Sequence, residues 1–305
     1  MNSKTLSERL KQIAYAFGAD FCGISRAEFM EPEAQKLENW LKGGYHGKMH
    51  FMERYFDLRT DPRKLMPGAK SVISLIFNYF TPEPVKFPKI SRYARGEDYH
   101  VVLKNKLHHI LETWRLELGH FEGRICIDSA PVMEKAWAQR GGLGWIGKNT
   151  HTIRKGNGSY FFITEIITDL EPEADSSAED LCGTCSACVE ACPTGALDNA
   201  YILDSRKCIS YLTIELKEQI PAEFGSKMEG WMFGCDICQE VCPWNRFKKP
   251  TAIAEFKPSE AILNMDLKDW LNITEPTFKQ LFKKSALQRA KYSGIMKNLQ
   301  IIRSA

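Results

Sequence analysis

The chain has 305 residues, a net charge of +3, 44% hydrophobic and 26% charged residues, the composition of a soluble globular protein with room for two domains. It has no run of eighteen apolar residues, which excludes a transmembrane helix, and the opening "MNSKTLSERLKQ" lacks the apolar core of an export signal. A cytoplasmic address with no membrane partner is expected, so the ten cysteines are not read as disulfides.

Leu6, Leu10, Ile13 and Phe17 share one helical face, and Gly18 suits the position after the helix. "DFCGIS" follows as a buried strand, and "SVISLIFNYF" (71–80) as a second, stopped by Thr81-Pro82. From Tyr99 to Leu118 the positions Leu103, Leu107, Ile110, Leu111, Trp114 and Leu118 mark another helix face. "GRICID" (123–128) reads as a strand ending in Asp128, and a helix is expected to open at Pro131. Asp128 at that junction is either a capping carboxylate or a site residue. "HTIRKGNGSYFFITEII" reads as a hairpin turning at Lys155-Gly156-Asn157-Gly158. The acidic stretch "EPEADSSAED" (171–180) reads as a linker, and the chain beyond about 258 as helical.

"GGLGWIGKN" carries Gly142-x-Gly144-x-x-Gly147 and, nearly, a phosphate-binding loop ending Gly147-Lys148. Both nucleotide readings need a strand before and a helix after; here the order is reversed, and Asn149 stands where a magnesium-binding Ser or Thr is required. The glycines instead let the backbone approach another element or a flat ligand closely.

Charge is unevenly placed. Beyond Glu275 there is no acid but seven bases, Lys279, Lys283, Lys284, Arg289, Lys291, Lys297 and Arg303, so residues 1–275 carry −4 net. The tail is either a polyanion-binding segment or a solvated amphipathic helix.

Eight of the ten cysteines fall between 182 and 242. "CGTCSACVEACP" is the complete C-x2-C-x2-C-x3-C-P run of bacterial two-cluster ferredoxins, in which the fourth cysteine serves the other cluster. Zinc ribbons instead use two separated C-x2-C pairs. One [4Fe-4S] cluster would take Cys182, Cys185, Cys188 and Cys242. The other would take Cys192, Cys235 and Cys238, with Met232 standing where a plain ferredoxin has its remaining cysteine. Cys208 is the candidate replacement, leaving Cys22 and Cys126 as small buried hydrophobes. A bare electron carrier needs only this module, whereas here a whole domain precedes Cys182.

"SRYARGEDYH" (91–100), "DSAPVMEKAWAQRGGLGWIGKNT" (128–150), "CISYLTIE" (208–215) and the two cysteine runs together resemble the epoxyqueuosine reductase family. The resemblance implies an α+β fold: a nitroreductase-like cobalamin-binding domain (1–170), a ferredoxin-like domain with two [4Fe-4S] clusters (171–250) and a short helical basic region (251–305). It implies reduction of epoxyqueuosine to queuosine at the wobble position of tRNAs for Tyr, His, Asn and Asp, by a monomer fed by a reducing electron donor and binding the tRNA anticodon stem-loop. Asp128 would be the proton donor. Cobalamin contacts would fall on Arg59, Ser91, Asp128, Met133, Lys135, Asn149, Thr152, Ile163 and Ser210. Asp98-x-His100 is not a cobalt-binding D-x-H-x-x-G motif, because Leu103 replaces the glycine. Many relatives continue with helical repeats, so segment 279–303 would take more of the tRNA contact here. A reductive dehalogenase-like corrinoid enzyme and a non-catalytic electron carrier are the rival readings.

Overall fold

Side-chain alternation builds a sheet with two unlike faces. In the computed structural model, which describes residues 1–304, the first elements are α1 (Ser3–Ala16), β1 (Phe21–Arg26), α2 (Glu31–Lys42), α3 (Phe56–Thr60), α4 (Pro62–Leu65), β2 (Ser71–Asn78) and β3 (Lys89–Ile90). They are followed by α5 (Tyr99–Leu118), β4 (Gly123–Cys126), α6 (Glu134–Arg140), β5 (Trp145–Ile146), β6 (Thr152–Ile153) and β7 (Phe161–Thr168). The main sheet runs β1-β2-β7-β4, every pair antiparallel. Ile24, Ile73, Leu75, Phe77, Phe162 and Ile166 point to one face and meet Leu10 and Ile13 of α1 and Leu103, Leu107, Ile110 and Trp114 of α5. The alternate residues Val72, Cys126 and Ile167 point to the other face, against Ala136 and Trp137 of α6. Gly23 is required there, because a Cβ would meet the Gly141 carbonyl oxygen at 2.1 Å.

Three sequence expectations are corrected. The runs 151–154 and 159–167 are not paired as a hairpin: β6 pairs with β5, and only Arg154 and Gly158 bridge across the turn. The reason is that both edges of β7 are already taken, by β2 and β4. The strand "GRICID" stops at Cys126, and α6 opens at Glu134 rather than Pro131, because residues 127–132 form tight turns. The stretch 171–180 is irregular but tied down: Asp175 accepts from Ile24 N at 2.8 Å and from Lys11 at 2.5 Å, and the Glu173 carbonyl accepts from Ser7 Oγ at 2.9 Å. Cys22 and Cys126 are buried, as expected.

The rest of the chain forms α7 (Ala187–Glu190), α8 (Ile209–Ile214), β8 (Trp231–Phe233), α9 (Ile237–Glu240), α10 (Glu260–Asn264), α11 (Leu267–Asn272), α12 (Glu275–Leu281) and α13 (Lys291–Ser304). Its core joins Trp231, Met232 and Phe233 to Trp270, Phe278, Phe282, Leu287, Ile295 and Leu299, and also takes in Ile90 and Ala94. β3 pairs with β8 in parallel, tying the two parts of the chain together. No helix among the described residues is long and apolar enough to cross a membrane.

The basic tail is less free than its sequence suggests. Lys279 pairs with Glu275, Lys284 with Glu97 and Arg289 with Glu215. Lys297 is buried, its ammonium donating to the carbonyls of Leu216 at 2.5 Å and Leu212 at 3.3 Å at the end of α8. Lys297→Ala is therefore expected to lower unfolding stability by about 1–3 kcal/mol, the cost of stranding buried acceptors, as read by urea denaturation. Unchanged stability would mean water replaces the ammonium freely.

Candidate active site

The cysteines converge in two groups of four. Cys182, Cys185, Cys188 and Cys242 line one hollow with Ile153, Lys148 and Trp244. Cys192, Cys208, Cys235 and Cys238 line a second cavity of about 210 Å³. Cys188 and Cys238 lie in the one-turn helices α7 and α9, which pack together, while Cys192 and Cys242 follow them and cross to the other group. Cys208 caps α8. Burial pushes the thiols of Cys208, Cys235 and Cys238 up, so proton loss accompanies metal binding. These donor sets and spacings suit two Fe–S cubes.

The glycine loop backs onto the first group. A Cβ on Gly147 would meet Ile153 Cδ1 at 2.4 Å and Cys182 Sγ at 3.4 Å. Lys148 Nζ donates to the carbonyls of Gly183 at 2.7 Å and Cys185 at 2.9 Å, and Trp145 Nε1 to Cys182 Sγ at 3.4 Å. The glycines serve an approaching element, not a nucleotide. Asn149 borders both hollows, its Nδ2 donating to the Cys238 carbonyl at 3.1 Å.

Of the residues assigned to cobalamin, Ser91, Lys135, Asn149 and Ser210 line the second cavity. Ser91 Oγ donates to the buried Asp236, and Lys135 Nζ donates to the Thr150 carbonyl at 3.0 Å. Arg59, Met133, Thr152 and Ile163 lie outside that lining: Arg59 in α3, Met133 just before α6, Thr152 in β6 and Ile163 in β7 beside Leu143 and Ala138.

Asp128 lies two residues beyond β4 with φ +49°, a left-handed conformation uncommon for non-glycine residues. It does not cap α6. Its N–H donates to Glu134 Oε1 at 2.6 Å, and its Oδ2 lies 3.1 Å from His100 Nε2. His100 Nδ1 is 2.7 Å from Asp98 Oδ1, and Asp98 also caps α5. The imidazole stacks on Tyr99 at 4.2 Å, and Tyr99 on Phe162 at 4.3 Å. Two carboxylates, Asp128 first, push the His100 pKa up to about 9. Crowding would raise the Asp128 pKa, but the hydrogen bond and charge of His100 outweigh it and hold the carboxyl below its usual range. Burial and then the charge of Asp128 push Glu134 up to about 8. Lys135 and Tyr93 line the cavity and lie within electrostatic reach of Asp128, joining the acid cluster to the second cysteine group.

Sequence reasoning set His100 aside because it tested only for a cobalt ligand. The usable signal was Asp98-x-His100 at a helix start, where the cap carboxylate can also orient the ring. Arg289, one of the seven tail bases by sequence, bonds Glu215, and its charge reaches Asp128.

The model "4Fe-4S double cluster binding domain" matches residues 181–245, and "Epoxyqueuosine reductase QueG, DUF1730" matches 59–129. An epoxyqueuosine reductase of Leadbetterella byssophila is 53% identical over 299 residues, covering 97% of this chain and 98% of that protein. A crystal structure of epoxyqueuosine reductase with an epoxyqueuosine-modified tRNA-Tyr stem loop is 31% identical with a TM-score of 0.90, over 99% of this chain and 81% of that one. A catabolic reductive dehalogenase variant shares the fold alone, at 16% identity and a TM-score of 0.50, over 97% of this chain and 38% of that one. With two matching family models and a near full-length relative at this identity, the chain belongs to the epoxyqueuosine reductase family.

Proposed function

We propose that this chain reduces epoxyqueuosine to queuosine at the wobble position of tRNA, using cobalamin and two [4Fe-4S] clusters. The observation that carries the reading is the second four-cysteine cavity, whose lining residues Lys135 and Tyr93 lie within electrostatic reach of an Asp128–His100 acid pair. Residues 1–170 are read as the nitroreductase-like cobalamin-binding domain, 171–250 as the ferredoxin-like domain and 251–305 as the helical region, acting as a monomer with a reducing donor. Arg59 Nε and Thr152 Oγ1 are buried without a hydrogen-bond partner, which fits a ligand rich in amide groups; Ser91, Asp128, Met133, Lys135, Asn149, Ile163 and Ser210 complete the contacts proposed for it. Bound cobalamin supplies a strong reductant at the carbon–oxygen bond, and the clusters supply its electrons singly.

The protein's part is proton delivery. Removing the epoxide oxygen as water takes two electrons and two protons. In the open site the proton sits on His100, and Asp128 is its anionic partner. Covering the pair with ligand and tRNA excludes water, which disfavours two charges over two neutral groups. The proton then moves from His100 Nε2 to Asp128 Oδ2, and Asp128 presents it to the leaving oxygen as a general acid; His100 is recharged from solvent and the same relay supplies the second proton, so that the oxygen leaves as water. Asp98 holds the far ring nitrogen, and Glu134 holds the Asp128 backbone.

Because the His100 pKa is raised from 6.5 to about 9, the charged pair is complete below 6.5 and is lost as pH rises through about 9. Turnover is expected to fall across that alkaline limb, and His100→Gln to be at least about tenfold slower without it. An unchanged pH profile in that variant would remove His100 from proton delivery. The function itself is tested by mass spectrometry of tRNA from a strain lacking this gene: accumulated epoxyqueuosine is expected, and a normal queuosine content would overturn it.

A further inference from the structure

The segment between α2 and α3 carries two exposed aromatic rings that no core explains. Phe51 is 45% exposed and Tyr55 is 65% exposed. Tyr55 also holds φ +59°, a left-handed conformation that is uncommon for a bulky side chain. The segment is nonetheless firmly seated. Lys48 N donates to Tyr211 Oη at 2.8 Å and Ser205 N to the Tyr45 carbonyl at 2.9 Å, while just before it Trp40 Nε1 of α2 donates to the Leu203 carbonyl at 2.7 Å. It is thereby fixed to the stretch that carries Cys208.

Phe51 touches two arginines whose charges reach the acid cluster. Its ring lies under the Arg289 guanidinium at 6.0 Å, and its carbonyl accepts from Arg59 Nη2 at 3.4 Å. The charge of Arg289 reaches Asp128, and that of Arg59 reaches Glu134. Glu215 fixes Arg289 through two 3.0 Å hydrogen bonds. An exposed, pre-positioned ring with one arginine over it and another on its carbonyl suits an unpaired nucleobase, which presents a flat face beside an anionic backbone. A paired duplex would hide its base faces and so leave the ring without a partner.

We propose that Phe51, with Tyr55 beside it, is a stacking platform for one unpaired anticodon-loop base next to the nucleotide that enters over Asp128. The proposal rests on the tRNA reading of the site. The platform would hold the loop splayed, so that the modified base turns toward Asp128 while its neighbour is parked on Phe51. The arginines would draw in the phosphates between the two bases.

The test uses the cluster- and cobalamin-loaded protein and an unmodified anticodon stem-loop RNA with 2-aminopurine beside the wobble position. Binding is read by anisotropy and stacking by 2-aminopurine fluorescence, so neither depends on turnover. Phe51→Ala is expected to weaken binding about five- to a hundredfold, abolish the stacking change and leave the salt dependence unaltered. Phe51→Trp should restore both signals, and Arg289→Ala should lower the salt slope by about one. Unchanged absorption of clusters and cofactor confirms that the variants are folded. Wild-type binding and stacking by Phe51→Ala, or an equal loss toward a fully paired duplex, would overturn the platform. A platform that survives in a protein without turnover would instead count against the proposed reaction alone.

Discussion

Asp128→Asn should lose turnover by about 10²- to 10⁴-fold while keeping the spectra of both clusters and of the bound cofactor. Asp128 lines neither cysteine cavity, so metal loading has no reason to change. The amide keeps the shape and the backbone bond from Asp128 N to Glu134, but it cannot accept a proton from His100 and hand it on. His100 also loses the largest cause of its raised pKa and should titrate closer to its ordinary value. Turnover near the wild-type rate would place the acid elsewhere, with Glu134 the next group to examine.

The second large effect concerns Cys208. Cys208→Ala should halve the iron content, leave the signal of the Cys182, Cys185, Cys188 and Cys242 cluster, and abolish turnover because the electron path is cut in the cavity that Cys208 shares with Lys135 and Ser210. Adding Met232→Cys, which restores the plain ferredoxin spacing, should not rescue it. Met232 is fully buried in β8 among Trp231, Phe233 and Leu299 and does not line the cavity. Asn298 Nδ2 further pins its carbonyl at 2.9 Å. Full iron in the single variant, or rescue in the double one, would show that the ligand assignment is wrong.

That contrast shows what was legible in the chain. Cysteine spacing and count suffice to divide eight thiols into two fours, because ligand geometry around an iron–sulfur cube is local and strict. Helices and strands with clear periodicity, such as α1, β2 and α5, are readable for the same reason. Pairing is not local. The runs around Lys155-Gly156-Asn157-Gly158 carry a hairpin's turn chemistry, yet β7 is claimed on both edges by strands far away in sequence. Charge is also misleading without packing: Lys297 reads as a tail cation but caps buried carbonyls. His100 needed the fold, since only the β4–α6 turn brings Asp128 to within 3.1 Å of it. The residues proposed to hold the cofactor have no spacing rule behind them; those in regular elements scatter over α3, α6, β6, β7 and α8.

The most direct measurement is a single-turnover reaction of the fully loaded protein, pre-reduced, with an epoxyqueuosine-bearing anticodon stem-loop, read by mass spectrometry of the nucleoside. Conversion to queuosine with loss of one oxygen is expected in the wild-type protein and not in Asp128→Asn. Unaltered epoxyqueuosine, with both clusters and the cofactor spectroscopically present and reduced, would contradict it.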